Sequence, residues 1–373
     1  MNLSYWEIKS WFSNIDYAIV GSGIVGLNCA LYLKQQHPNA NILILEKGTL
    51  PQGASTKNAG FACFGSLSEI LNDLEFHSEE EVLSLVKQRV NGLRLLRENL
   101  GDSVLDYAAC GGYELFSDSD TAFYETCLFR MDEVNHLLKP VFNYDVFQLK
   151  SNPFGFKNIY EKLVFNVFEG QLDTGKMMEA LLRKVQAAGV KILNNISVEA
   201  FSELNSEVAV KTNQIEFNCK KLILANNGFS SLLLNEPVKP ARAQVLITKP
   251  IKNLNIKGTF HLDRGYYYFR NIDNRILFGG GRQLDFKAEE TTEFGETKKV
   301  QDALNQLLKH VILPETPFEV DHTWSGIMGV GNQKKAIIKQ VSDFVYCGIR
   351  MGGMGVAIGS YVGKSLANLS GKN

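Results

Sequence analysis

The residues best suited to chemistry begin at Gly21-Ser22-Gly23-Ile24-Val25-Gly26. This is a G-x-G-x-x-G turn, and each glycine has its own task. Gly21 permits a tight turn. Gly23 lets the backbone approach a pyrophosphate. Gly26 lets a helix pack close to a strand. Glu46 ends a later apolar run, where a carboxylate can accept hydrogen bonds from ribose hydroxyls. Residues of these types at this spacing hold a dinucleotide, with its phosphates at a helix N-terminus.

Such residues work only if the right elements carry them. The apolar run Tyr17-Ala18-Ile19-Val20 leads into the turn, and a helix-like segment from Leu27 to Gln35 leaves it. A second run, Ile42-Leu43-Ile44-Leu45, delivers Glu46. Strand, glycine turn, helix, strand, acid is the full dinucleotide fingerprint rather than a bare glycine pattern. Residues 17 to 33 also resemble a signal peptide or membrane span, but Asp16, Gly-Ser-Gly and Asn28 break the run. A buried strand and helix explain it better. With no targeting segment in view, the expected location is cytoplasmic.

Composition narrows the class. The chain has 373 residues, 45% of them hydrophobic, enough for a large core and two domains or one composite. Its 39 basic and 40 acidic residues nearly cancel, and no basic block interleaves with aromatics, so nucleic acid is not an expected partner. The six cysteines (Cys29, Cys63, Cys110, Cys127, Cys219, Cys347) form no C-x-x-C, and the six histidines show no ligand spacing. No metal site is expected, and the cysteines read as buried, reduced thiols.

Further along, residues 3 to 13 read as a short amphipathic helix, and residues 51 to 67 as a loop rich in Gly, Ser, Thr and Asn. Residues 79 to 99 and 120 to 138 read as long helices. Ser78 with Glu81 fits a capping box, beside the acidic start Glu79-Glu80-Glu81. Asp173-Thr174-Gly175 opens a helix that Gly189 stops, and strands at 190 to 193 and 196 to 198 follow. Leu222-Ile223-Leu224-Ala225 runs into the polar turn Asn226-Asn227-Gly228. From about residue 240 the pattern changes to aromatic and β-branched strands, at 243 to 249, 265 to 270 and 275 to 281, which suggests an antiparallel sheet. A helix near 297 to 309, a strand at 344 to 347 and a helix from Val356 to Leu369 complete the chain.

Taken in order, these elements resemble the D-amino-acid oxidase superfamily of FAD-dependent enzymes, which includes glycine oxidase and sarcosine oxidase. The resemblance rests on Gly21 to Gly26 with Glu46, on Gly53 to Gly60, on Gly170 to Gly175, on Ala241 to Leu246 and on Gly348 to Gly355. It implies an α/β protein with an α+β substrate part. A discontinuous Rossmann-like FAD-binding domain (1–80, 150–235 and 320–373) would stand beside an antiparallel-sheet substrate domain (81–149 and 236–319). It implies non-covalent FAD, since the segment Trp324-Ser325-Gly326-Ile327-Met328 carries no cysteine, although His322 is near.

The resemblance also assigns residues. Gly21, Gly23 and Gly26 would face the pyrophosphate, Glu46 the adenosine ribose and Val198 the adenine, with Ser22, Ile24 and Lys47 also in the cofactor site. Ser55, Thr56, Lys57, Asn58, Ala59 and Gly60 would lie against the flavin ring. Gly228, Arg350, Gly352, Gly353, Met354 and Gly355 would complete the cofactor site. The last of these introduce a helix N-terminus suited to the negative charge of reduced flavin.

The implied reaction passes a hydride from a C–H next to an amine to flavin N5, followed by hydrolysis of the imine. No catalytic side chain is required, because flavin N5 does the chemistry and the protein orients. Oxygen or another acceptor would then take the electrons. Relatives bind the substrate carboxylate with an arginine just after a Trp-x-Gly segment, where this chain has Met328. That leaves Arg350 as the candidate, against a structural role, with strand register favouring Tyr267 over Tyr268 as the residue closing a small-molecule pocket, against an aromatic face packed in the core. Arg242 reads as structural. Lys57 is a candidate for flavin or oxygen contact, against a solvent-facing role, and His261 has the weaker pocket claim. Oxidation of a 2-hydroxy acid and a non-catalytic electron-transfer subunit stand as alternatives. An NAD-linked dehydrogenase would leave the glycine turns at 53–60 and 348–355 without a role.

Overall fold

The computed structural model describes residues 2–372. Two eight-stranded sheets carry most of the fold. In the first, Ile15–Val20 lies between Ile42–Leu45 and Glu216–Leu224, with Lys191–Leu193 outside the former and Val345–Ile349 outside the latter, all parallel. Ile337–Gln340 adds an antiparallel edge. Val198–Glu203 and Val208–Thr212 form an antiparallel flap from Glu216–Leu224. The central strands are apolar without alternation because helices or loops cover both faces, as parallel sheets require.

Helix Ile24–Gln36 follows the glycine turn, and every residue from Ile24 to Leu33 is buried. It packs against the last helix, Gly355–Ser370. At that crossing a Cβ on Gly363 would lie 2.7 Å from Val25 O. The stretch that resembled a membrane span is therefore the innermost strand and helix. Among the described residues no helix is long and apolar enough to cross a membrane.

The second sheet runs in the order Val320–Val330, Lys239–Thr248, Arg275–Gly280, Tyr267–Ile272, Thr259–Leu262, Gly112–Leu115, Lys162–Asn166, Phe147–Ser151. Every pairing is antiparallel except that of Thr259–Leu262 with Gly112–Leu115. Its core stacks aromatics, with Phe260 on Phe269 at 4.5 Å.

The expected helices form, with shifted ends. Glu79–Leu100 has the Ser78–Glu81 capping box, and Asp173 caps Thr174–Ala187. The amphipathic start is Tyr5–Glu7 followed by a π-turn, Ile8–Phe12, with no buried residue. The strand expected from Gly265 begins at Tyr267, because Gly265 sits in a turn at φ +75°.

Three segments depart from the expected domain boundaries. Val320–Val330 pairs along the length of Lys239–Thr248, so it belongs to the second sheet and not to the cofactor part. Lys162–Asn166 joins the second sheet as well. Helix Glu79–Leu100 packs on the last helix of the cofactor half. Strand partners and helix contacts are tertiary choices that local pattern does not encode.

Candidate functional site

Between the sheets lies one cavity of about 870 Å³. At one end its wall holds Gly21, Gly23, Ile24, Glu46, Lys47 and Val198, and further in Ser55, Lys57, Asn58 and Ala59. Gly352, Gly353, Met354 and Gly355 also line it, beside Cys63 and Met328. These residues come from distant parts of the chain, brought together at the C-terminal ends of the parallel strands, where α/β sheets hold ligands.

Hydrogen bonds fix this lining. The buried Glu46 carboxylate accepts from the Ser22 hydroxyl at 2.6 Å and from the Gly48 N–H at 3.0 Å. Ser55 Oγ accepts from the Ile24 N–H at 3.0 Å. Asn58 Oδ1 accepts from the Gly60 N–H and from the Thr174 hydroxyl, each at 2.8 Å. Trp324 Nε1 donates to Lys57 O at 3.0 Å, so this tryptophan pins the glycine-rich loop. Asn227 Oδ1 accepts from the N–H groups of Arg350 and Met351, at 3.0 and 3.1 Å. Gly352 and Gly353 follow with φ of +59° and +84°.

The other end is built of side chains. Phe61, Tyr266, Tyr268 and Met328 line it, with the charged Glu69, Arg89, His261, Arg264, Arg282, Glu293 and Lys334. Tyr268 meets Phe61 edge-on at 5.7 Å. Its ring lies over Gly279 of the adjacent strand, where a Cβ would come within 2.7 Å. Burial pushes its phenol up to about 12, so the hydroxyl stays protonated and able to donate.

Beside it, His261 Nε2 lies 3.0 Å from Glu169 Oε2. Burial lowers the imidazole's affinity for a proton, but the facing carboxylate outweighs it and raises the pKa to about 9. Cys63 joins this pair within 4.8 Å. Its thiol is pushed well above the usual range, by burial first and then by Glu169. Glu169 also accepts from the Thr259 hydroxyl at 2.9 Å, so the cluster's acid is already engaged by protein donors.

The family model described as DAO, FAD dependent oxidoreductase, matches residues 16–369. The chain belongs to this family of FAD-dependent oxidoreductases. Among curated proteins it is 23% identical to sarcosine oxidase subunit beta of Rhodobacter capsulatus, over 99% of this chain and 89% of that one. It is 34% identical to the bifunctional protein ThiO/ThiG of Synechocystis over 79 residues, 21% of this chain and only 12% of that protein. Glycine oxidase from Geobacillus kaustophilus has a similar fold, with a TM-score of 0.77 at 18% identity over 96% of this chain and 95% of that one.

FAD fits the cavity this DAO-family chain provides. Helix Gly355–Ser370 opens on it without a side-chain cap, offering N–H groups to anionic atoms, and helix Ile24–Gln36 also opens on it, its first N–H held by Ser55 Oγ. Asn226 Oδ1, also on the wall, is buried and has no hydrogen-bond partner among the described residues. A Cβ at Gly352 would find no atom nearer than Lys334 O at 3.8 Å, so that glycine faces open space.

Several expected site residues stand elsewhere. Arg350 turns away from the cavity: its Nε donates to Lys335 O at 2.9 Å, and its left-handed backbone, φ +66°, aims the chain into the glycine loop. Tyr267 packs in the aromatic core near Phe278, because strand alternation gives the cavity face to Tyr268. Ser22 serves Glu46. Thr56 donates to Pro51 O at 2.7 Å. Gly26, Gly60 and Gly228 are close-packing positions behind the wall, the last against the Met328 backbone. Arg242 is structural as expected, ion-paired with Glu289 at 2.8 Å.

Residues missed from sequence include Phe61, Asn227 and Arg282. A usable signal existed for the last, since Gly279-Gly280-Gly281-Arg282 ends a strand on three glycines and a charge.

Proposed function

We propose that this chain oxidises a C–N bond of an amino acid or amine, removing a hydride from the carbon next to the nitrogen. Bound FAD supplies the two-electron acceptor. The continuity of the cavity carries the reading: one volume joins the glycine turn and Glu46 to the aromatic face around Tyr268. Gly21, Gly23 and Ile24 would hold the pyrophosphate, Glu46 and Lys47 the ribose, and Val198 the adenine. The segment from Ser55 to Ala59 and the loop Gly352–Gly355 would bracket the flavin ring.

Phe61 and Tyr268 would exclude water from the substrate carbon. The protonated Tyr268 hydroxyl donates and so orients an acceptor on the substrate. The product imine hydrolyses with water, and oxygen or another acceptor regenerates the enzyme. Non-covalent cofactor binding is consistent with a wall cysteine, Cys63, held as a buried thiol, and a wall histidine, His261, occupied by Glu169. We place the protein in the cytoplasm, in keeping with six free cysteines.

The deciding experiment is anaerobic bleaching of the flavin band by D- and L-amino acids, N-methyl amino acids, polyamines and 2-hydroxy acids in turn. Bleaching by an amine or amino acid supports the reading. Bleaching by 2-hydroxy acids alone replaces it.

A further inference from the structure

The cations on the cavity wall are not equivalent. Lys334 pairs with Asp73. Arg264 lies 3.6 Å from Asp263 and stacks on Phe123. Arg89 donates to Phe64 O at 2.7 Å, with Asp73 and Glu69 acting on its charge. Lys47 follows Glu46 and lies 5.8 Å from the Phe229 ring centroid, and Lys57, in the segment assigned above to the flavin ring, has its stem against Gly326. Arg282 shares with Lys47 and Lys57 the lack of an acidic partner among the described residues, but it alone of the three stands at the end of a second-sheet strand beside Tyr266 and Tyr268. Among the described residues no carboxylate pairs with it and no carbonyl accepts from it.

Aromatic rings hold Arg282 in place. Its guanidinium carbon lies 5.7 Å from the Tyr266 ring centroid and 5.1 Å from that of Phe286. Burial lowers its pKa, with only Tyr266 acting in the other direction. The side chain follows Gly281, at φ +82°, at the end of strand Arg275–Gly280. It shares the wall with Tyr266, Tyr268, Gly280 and Met328. A cation that is partly desolvated and lacks an anion is costly, and an anionic ligand removes the cost. A guanidinium held by rings also presents its planar fork with little side-chain freedom left to lose.

We propose that Arg282 is the residue that binds a substrate carboxylate, which makes the substrate an amino acid rather than a simple amine. Two parallel N–H donors match the two oxygens of a carboxylate. The inference rests on the proposed C–N oxidation, and it assigns specificity within that site. Met328 leaves its own stretch of wall apolar, so the carboxylate docks against the end of Arg275–Gly280 instead.

The test is equilibrium titration of the FAD-loaded protein with benzoate and with benzamide, followed by the flavin spectrum. Benzoate should perturb the wild-type spectrum, and its affinity should fall at least about tenfold in Arg282→Met, the loss expected for a charge-assisted hydrogen bond. Benzamide should bind both proteins alike. Equal benzoate affinity in both, or no benzoate binding to wild type, overturns the assignment. Should Arg282→Met fail to hold flavin, Arg282→Lys decides. It keeps the charge and loses the fork, so benzoate affinity should drop several-fold, and an unchanged affinity again overturns it. Titration needs no turnover. Failure of every amine and amino acid to bleach the flavin would therefore sink the oxidation reading while leaving this result readable.

Discussion

The two sheets build their shares of the cavity from different materials. On the parallel side the wall is largely backbone. Glycine turns and two helix N-termini present N–H groups, and the buried Glu46 is locked by Ser22 and Gly48. On the antiparallel side the wall is side chains, such as Tyr268 and Arg282, joined by Phe61 from the short strand Phe61–Ala62 that pairs with Gly170–Gln171. A backbone wall fails where an added atom meets other backbone, as at Gly26 against Gly21 O. A side-chain wall changes its ligand when one residue is exchanged, while the sheet behind it stays intact. The contrast explains how one cofactor cradle can serve varied substrates.

Gly26→Val should produce the largest effect. A Cβ there would collide with Gly21 O, so the helix must move off the strand. Purified protein should lack flavin and melt well below wild type. A variant that keeps its flavin would show that the cradle is softer than its packing indicates.

Arg270→Met comes next. This buried guanidinium donates to Leu172 O at 2.7 Å and Gly60 O at 3.2 Å, tying the second sheet to the cofactor loop. Its loss should cost about 2–4 kcal/mol in denaturant unfolding, since two buried carbonyls lose charged donors. A smaller loss would mean that the two halves hold together without this link.

Two neighbouring tyrosines sharpen the comparison further. Tyr267→Ala empties core volume and should cost about 3 kcal/mol, with ligand affinity per folded molecule little changed. Tyr268→Phe should leave stability within about 0.5 kcal/mol and raise KM several-fold, through loss of one hydroxyl donor. Reversed outcomes would exchange their assignments.

The smallest effect is a pH dependence from His261. Its folded pKa, about 9, lies above the ordinary 6.5. The stabilisation is therefore complete below about pH 6.5 and fades as pH rises through 9. Melting temperature followed from pH 6 to 10 should fall across that window, and His261→Asn should flatten this part of the profile. An identical slope in both proteins would place the titration elsewhere.

The parallel sheet and its glycine turn were legible because their signals are local. Glycines at fixed spacing, apolar runs and a terminal acid fall within one stretch of chain, and backbone geometry follows from them. The same logic located the loop at 53–60 and the glycine run before the last helix. It failed at Arg350, where type and position suggested a ligand. There the backbone adopts φ +66°, and carbonyls of Lys335 and Pro237 take up the side chain. It also favoured Tyr267 over Tyr268, because strand alternation gives two faces but not which one looks inward.

The sequence by itself determined the dinucleotide fingerprint, the parallel core around it and the change to antiparallel strands near residue 240. These depend on short-range sterics and on hydrophobic period, which neighbouring residues encode. Only the tertiary structure decided that Val320–Val330 and Lys162–Asn166 join the second sheet. It alone turned Tyr268 inward and left Arg282 beside two rings with no carboxylate partner among the described residues. Those outcomes depend on which strands pair and which face is buried, and pairings outside any local sequence window, such as Lys239 with Val330, set both.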